Sequence, residues 1–394
     1  MSYAIGVVVF SFGLLLSIML HELGHFSTAK AFGMKASRFF VGFGPTLWST
    51  RRGETEYGVK ALPLGGFVKI DGMTALEPID PADEERAFYK QPARQRLVVL
   101  CAGSFVHLVI AIVLVFAVLA ATGQDPVRTD GLQVATVSKC LTPSGTGSCT
   151  ATTPRAPALG VLQVGDVVKT INGQQIGSSG LNFVRVLHQS AGKPVTITFV
   201  RDGSLHSATL TPGAVKVGKK SVGRIGVQTD PHAANVTVSG SFGRTFTLMG
   251  DFLSSTGSAI AGLPHEVSQI IAGHQRSSDS AASIVDVARV SGQISASGAS
   301  FGDIVASLLL ILAELNLFVG LSNMLPLLPF DGGHVAILGF EEGRSRLYRA
   351  IGRRDPGRVD IMKVLPVTYA VFAVFVGLSL ILLYAGITNP ISLQ

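Results

Sequence analysis

The chain has 394 residues, of which 47% are hydrophobic and only 14% charged, with a formal net charge of +7 and a mean hydropathy of +0.45. These values fit a polytopic membrane protein with one soluble insert. They call for neither a disordered chain nor a nucleic-acid-binding stripe, and no nucleic-acid partner is expected.

Taken in chain order, the first element is an uncharged apolar run, Ala4 to Leu20, that leads straight into His21-Glu22-Leu23-Gly24-His25. On a helix this HExxH pattern sets two imidazoles one turn apart on one face, with a carboxylate beside them, which is the machinery of a zinc hydrolase. The run lacks a basic n-region and ends in this motif rather than in a small-residue cleavage site, so it reads as a span and not a signal peptide. Residues 1–36 form the first unit.

Residues 37–96 follow as a β-rich, membrane-associated hairpin region and cytoplasmic loop. FFVGFG, TLWST, EYGVKAL and GGFVKI are apolar strand-like runs broken by Gly and Pro. Irregular backbone at membrane depth must be covered by protein or line a wet cavity, so a hairpin dipping in beside the motif is expected. The second span is Leu97 to Thr122, within a unit of residues 97–123. Cys101 lies in it as a packing residue.

Residues 124–230 alternate short β-runs with turns around one helix candidate at about 180–191. The stretch from Leu162 through Gly165-Asp166 to Asn172-Gly173 resembles the core of a PDZ (α+β) domain, a fold that binds extended peptide by adding it to a sheet edge. Cys140 and Cys149 fall in an insertion near the peptide groove. In an oxidising compartment they can pair; the alternative is two free thiols. Residues 231–303, rich in Ser, Gly and Ala, read as a linker with short amphipathic helices on the membrane surface.

The third span begins at Ile304 and runs to about Leu328, in a unit of residues 304–340. Its end reads Asn323-Met-Leu-Pro326-Leu-Leu-Pro329-Phe-Asp331-Gly332-Gly333-His334. Two prolines remove backbone donors and two glycines permit a tight turn, so the helix should break here. A carboxylate at that depth is costly unless paired or metal-bound. A catalytic zinc needs three protein ligands and an open position, and Asp331 is the expected third ligand after His21 and His25. His334 reads as a partner of the ligands or as structural, and not as a ligand itself. A basic cytoplasmic loop, 341–363, and a last span, 364–388, complete the chain.

Lys and Arg set the expected orientation. Residues 30–96 carry 11 and residues 341–363 carry 7, whereas residues 1–3 and 385–394 carry none. Both termini and the long central loop are expected outside the cell membrane.

Together these residues resemble the site-2 protease family of zinc intramembrane metalloproteases. The match is to the bacterial single-PDZ type of the actinobacterial and mycobacterial regulator-of-intramembrane-proteolysis group. HExxH on the first helix is joined by N-x-x-P-x-x-x-x-D-G on the third, and Gly42-Phe43-Gly44 and Pro63-Leu64-Gly65-Gly66-Phe67-Val68-Lys69 match the family's β-hairpin. The resemblance implies one zinc ion on His21, His25 and Asp331, with Glu22 as general base and later proton donor. It also implies a contact from Asn323 to the substrate backbone and a hairpin that holds unwound substrate. Implied substrates are single-pass membrane proteins, such as anti-sigma factors, already shortened outside the cell by another protease. The PDZ domain would recognise the shortened stub.

Three positions depart from the family pattern. Pro329 stands one residue later than the usual second proline, at Leu328. Gly103-Ser-Phe-Val-His107 replaces a Gly-Pro and an Asn, and either a hydrogen bonder near the site or a packed, satisfied polar residue is open for His107. Glu314 replaces a small residue, and either a functional carboxylate or a structural hydrogen bond is open for it. Two rival functions are a secondary transporter, which would need paired repeats, and a catalytically silent PDZ scaffold, which would need no HExxH.

Overall fold

The computed structural model describes residues 2–73, 79–141, 149–150, 153–176, 181–217, 220–272, 282–354, 357–359 and 361–389. By contacts the chain forms two compact units, residues 1–118 with 242–394, and residues 119–241.

The first unit is built on long apolar helices. Helices α1 (Tyr3–Ala31) and α2 (Ala93–Thr122) are each long and apolar enough to cross a bilayer, and two later helices share this property: Phe301–Asn323 and the segment Val364–Thr388. Each exceeds the ~20 residues needed to span about 30 Å of hydrocarbon. Between α1 and α2 lie two long antiparallel strands, β1 (Ala36–Arg52) and β2 (Thr55–Ile70). They curl back on themselves. Phe39 pairs with both Val68 and Tyr57, and Phe40 with both Phe67 and Gly58. The first half of β1 is thus covered on both edges, while the last residues of β2 present an outer edge toward α1.

A small apolar core of Ala29, Met34, Ile70, Phe88, Val99, Leu100 and Leu338 ties the end of α1 to β2, the start of α2 and a later helix. Beside it, the β1–β2 turn is pinned by charge. The Arg86 guanidinium grips Glu54 with two bonds of 2.7 and 2.9 Å, and Lys30 pairs with the same carboxylate. First Arg86 and then Lys30 hold the Glu54 carboxyl down to about 2. A depressed carboxyl contributes stability above its unfolded pKa and loses it as pH falls through the folded one. The thermal stability of wild type should therefore exceed that of Glu54→Gln at pH 7, and the gap should close as pH drops from about 4.5 towards 2. A gap that stayed constant to pH 3 would contradict this.

The second unit is an antiparallel sheet. Strands β3 (Gln124–Val137), β4 (Val167–Ile171), β5 (Gln174–Gln175), β6 (Val195–Arg201), β7 (Ser204–Leu210) and β10 (Val227–Asn235) lie in the order β10-β3-β4-β6-β7, with β5 on β4. The pair β8 (Gly213–Val217) and β9 (Lys220–Arg224) forms a separate hairpin. Helix α3 (Leu181–Gln189) contributes Phe183 and Leu187 to a core with Val134, Val168, Ile171, Ile197 and Phe199. The Asn172-Gly173 turn has both residues at positive φ, the two-residue geometry that such a pair favours. Asp166, 1% exposed, is clamped by Arg201 at 2.7 and 2.8 Å and by the Gln163 N–H at 2.7 Å. Cys140 and Cys149 form a disulfide; Cys101 is free.

After the sheet comes α4 (Val238–Ile271), then α5 (Ile284–Ala296), α6 (Phe301–Asn323), α7 (Asp331–Ala350) and α8 (Ile361–Thr388). Where the sequence suggested short helices in a linker, α4 runs unbroken for 34 residues. Its glycines and serines argue locally for breaks. In place, Thr247 and Ser258 turn their hydroxyls back onto carbonyls four residues earlier, and Leu248 and Met249 are buried. Helix α5 carries a capping box, Ser283 with Asp286, and packs on the start of α1, where Gly6 faces Ser295 and Gly292 faces Tyr3 at distances no side chain would allow. The third span ends at Asn323, short of the expected Leu328, because Pro326 and Pro329 cannot continue the helical ladder.

Candidate metal centre

Three elements bring the centre together. Helix α1 sets His21 and His25 on one face, both nearly fully buried. The turn after α6 reverses the chain so that Asp331 becomes the first residue of α7, where the helix N-terminus favours a negative charge. The reversal is tight. A Cβ on Gly332 would lie 2.3 Å from the Met324 carbonyl carbon, and one on Gly333 2.6 Å from Leu327. The Leu328–Pro329 peptide in this turn is cis.

His21 Nε2 lies 3.1 Å from His25 Nε2. Asp331 Oδ2 lies 3.4 Å from the first and 3.3 Å from the second. These three are the His/Cys/Asp/Glu side chains among the described residues that converge as a possible metal group. Ligand atoms about 2.0–2.2 Å from zinc at the corners of a tetrahedron are about 3.3–3.6 Å apart, close to the triangle found here. Asp331 Oδ2 is buried and has no hydrogen-bond donor among the described residues, a costly state for a carboxylate oxygen that a cation relieves. The donor set, two imidazoles and a carboxylate, suits zinc with one position left open.

The neighbours of these ligands were not legible as motifs. The His25 ring bonds through Nδ1 to the Val99 carbonyl at 2.7 Å, the outer partner that a metal-ligating histidine usually has. Gly103 of α2 lies against both rings; a Cβ there would sit 2.4 Å from His21 Cε1 and from His25 Nε2. Gly24 plays the reciprocal part on α1, 2.9 Å from the Ala102 carbonyl for an added Cβ. The two helices come close at the centre because Gly24 and Gly103 leave room for the groups facing them.

Glu22 faces the hairpin. Its carboxylate accepts the Val68 backbone N–H at 3.0 Å, so the outer edge of β2 runs directly beside the centre. Asn323 ends α6, half-buried, and is not among the converging ligands. Among the described residues its side chain forms no hydrogen bond. His107 is 1% exposed and stays outside the ligand triangle, hydrogen-bonded to Asn316. Glu314 is exposed on α6 and outside the cluster, and among the described residues it makes no hydrogen bond.

A model of peptidase family M50 matches residues 9–354. The chain belongs to this family. Over its whole length it is 36% identical to the zinc metalloprotease Rip1 of Mycobacterium tuberculosis, with 100% of both chains covered. It is 34% identical to Rip1 of Mycolicibacterium smegmatis at the same coverage. A putative zinc metalloprotease of Nostoc is 26% identical over 84% of each chain. Among solved structures, the PDZ domain of an SdrC-like protein from Listeria monocytogenes is 24% identical, covering 27% of this chain and 93% of that one, with a TM-score of 0.21. The family member described here is a site-2-type zinc metalloprotease. Among the described residues, four helices are long and apolar enough to cross a membrane, and with the family they support a membrane location.

Proposed function

We propose that this protease hydrolyses peptide bonds within the transmembrane segment of single-pass membrane proteins, in regulated intramembrane proteolysis. The observation that carries the reading is the triangle of His21 Nε2, His25 Nε2 and Asp331 Oδ2, with both histidines on a helix apolar enough to lie in a bilayer. In this reading His21, His25 and Asp331 hold the zinc, Glu22 is the general base and Asn323 contacts substrate backbone. When bound, the zinc polarises a carbonyl and lowers the pKa of a water. Glu22 takes a proton from the attacking water and delivers it to the leaving amine.

Substrate helices hide their peptide bonds, and unwinding one in hydrocarbon exposes groups that must be re-paired. The free edge of β2 at Val68 is suited to that pairing, and it lies where Glu22 waits. The N–H that a substrate carbonyl would take is the one now held by Glu22. Substrate addition would therefore release the base as it docks the chain.

Anti-sigma factors shortened outside by an earlier protease are the expected substrates, with the second unit acting as a PDZ-type recognition module for the stub. The Lys and Arg distribution supports placing both termini and that unit outside, and the Cys140–Cys149 disulfide suits an oxidising compartment.

The ligand assignment is tested on Asp331→Ala. It leaves two ligands for an ion that wants three plus water. Zinc per purified protein after mild chelation should fall well below wild type. Equal occupancy would place the third ligand elsewhere.

A further inference from the structure

The two histidines of the triangle are not equally supported. Both converge through Nε2, so a neutral ring binding there carries its proton on Nδ1. His25 Nδ1 has the Val99 carbonyl. His21 Nδ1 is buried and has no hydrogen-bond partner among the described residues. The nearest ring beside it, other than that of His25, is His107 of α2, with centroids 4.9 Å apart and planes tilted by 43°. Two imidazoles joined by one N–H···N bond of about 3 Å have centroids about 5 Å apart.

The tautomer of His107 follows from its other side. Asn316 donates from Nδ2 to the Leu312 carbonyl at 2.7 Å and to Ser17 Oγ at 3.1 Å. Ser17 commits its own proton to the Gly13 carbonyl at 3.0 Å. Both Asn316 protons are used, so its Oδ1 can only accept, and the bond of 2.8 Å to His107 Nδ1 must be donated by the ring. His107 is then left with a bare Nε2, on a ring that lies beside the imidazole of His21. Gly320 lets α6 approach at this point, since a Cβ there would lie 2.9 Å from His107 Cβ.

We infer that His107 is a positioning residue for the metal. No bond joins the two rings in this structure; with zinc on Nε2, a small turn of the His21 ring would let His107 accept its Nδ1 proton and hold the ring toward the metal, and Asn316, braced by Ser17, locks His107 in the accepting tautomer. The inference rests on the assignment of His21 as a zinc ligand.

Zinc affinity of the full chain in detergent, by competition with a chelator, tests it, together with the visible spectrum of the cobalt-loaded protein. His107→Phe keeps the ring volume and removes the acceptor; it should weaken zinc by about 10- to 100-fold, as loss of an outer-shell partner typically does, and alter the cobalt bands. Asn316→Leu should weaken zinc in the same direction, and Asn316→Asp, which still accepts from His107, should restore most of the affinity. A purely structural role would not separate these last two. His21→Ala is the reference. If it loses zinc while His107→Phe binds within about twofold of wild type with unchanged bands, the positioning role is wrong and the ligand assignment stands. If His21→Ala itself binds like wild type, the ligand assignment fails and the inference with it. Should His107→Phe not fold, the Asn316 pair decides, and equal affinity of Leu and Asp would overturn the inference.

Discussion

Replacing Glu22 by Gln should leave zinc bound and remove nearly all turnover. Glu22 lies between the two histidines in sequence yet outside the ligand triangle, so its loss takes nothing from the metal. Gln keeps the shape and can still accept the Val68 N–H, so the hairpin should stay seated. What disappears is the group that takes a proton from water and returns it to the amine. General base work is worth about 10²- to 10⁴-fold, and the variant should fall by that much with normal zinc content. Turnover retained within about tenfold would be incompatible with a general base role.

The second large effect concerns the edge of β2. Val68→Pro removes the one N–H that joins this edge to Glu22. Proline is tolerated on edge strands where the N–H faces outward, so the pairing of β2 with β1, which runs along the other side of the strand, should survive. Cleavage should drop at least tenfold with zinc content unchanged, since each re-paired backbone group matters in a medium without water. Val68→Ala, which keeps the N–H, should cleave nearly as wild type. Cleavage by Val68→Pro equal to that of Val68→Ala would mean that substrate is held by the helices and not by strand addition.

What the sequence disclosed and what it hid divide along a physical line. His21 and His25 were legible because helical geometry alone sets residues four apart on one face. Asp331 was legible because prolines and glycines announce a broken helix, and a carboxylate there calls for a partner. The Gly-rich strands beside the motif announced a hairpin in the same way. Contacts made by tertiary approach carry no such local signal. The Val99 carbonyl on His25, the bare face of Gly103 and the Val68 N–H on Glu22 exist only once α2 and β2 have docked on α1. Asn316 had one signal, a lone amide in an apolar span, but its place between Ser17 and His107 depends on three helices meeting. Helix α4 was hidden for a different reason. Its Gly and Ser content predicts breaks that the 34-residue helix does not take.

The central claim is hydrolysis inside a membrane span, and mapping of the cut tests it most directly. The purified protein would be reconstituted in liposomes with a single-pass substrate whose span carries a helix-weakening Gly, and the products sequenced by mass spectrometry. The account predicts a new terminus within the apolar segment, formed by wild type and absent with Glu22→Gln and after zinc removal. Cuts confined to residues outside the apolar segment, or an equal cut by Glu22→Gln, would contradict it.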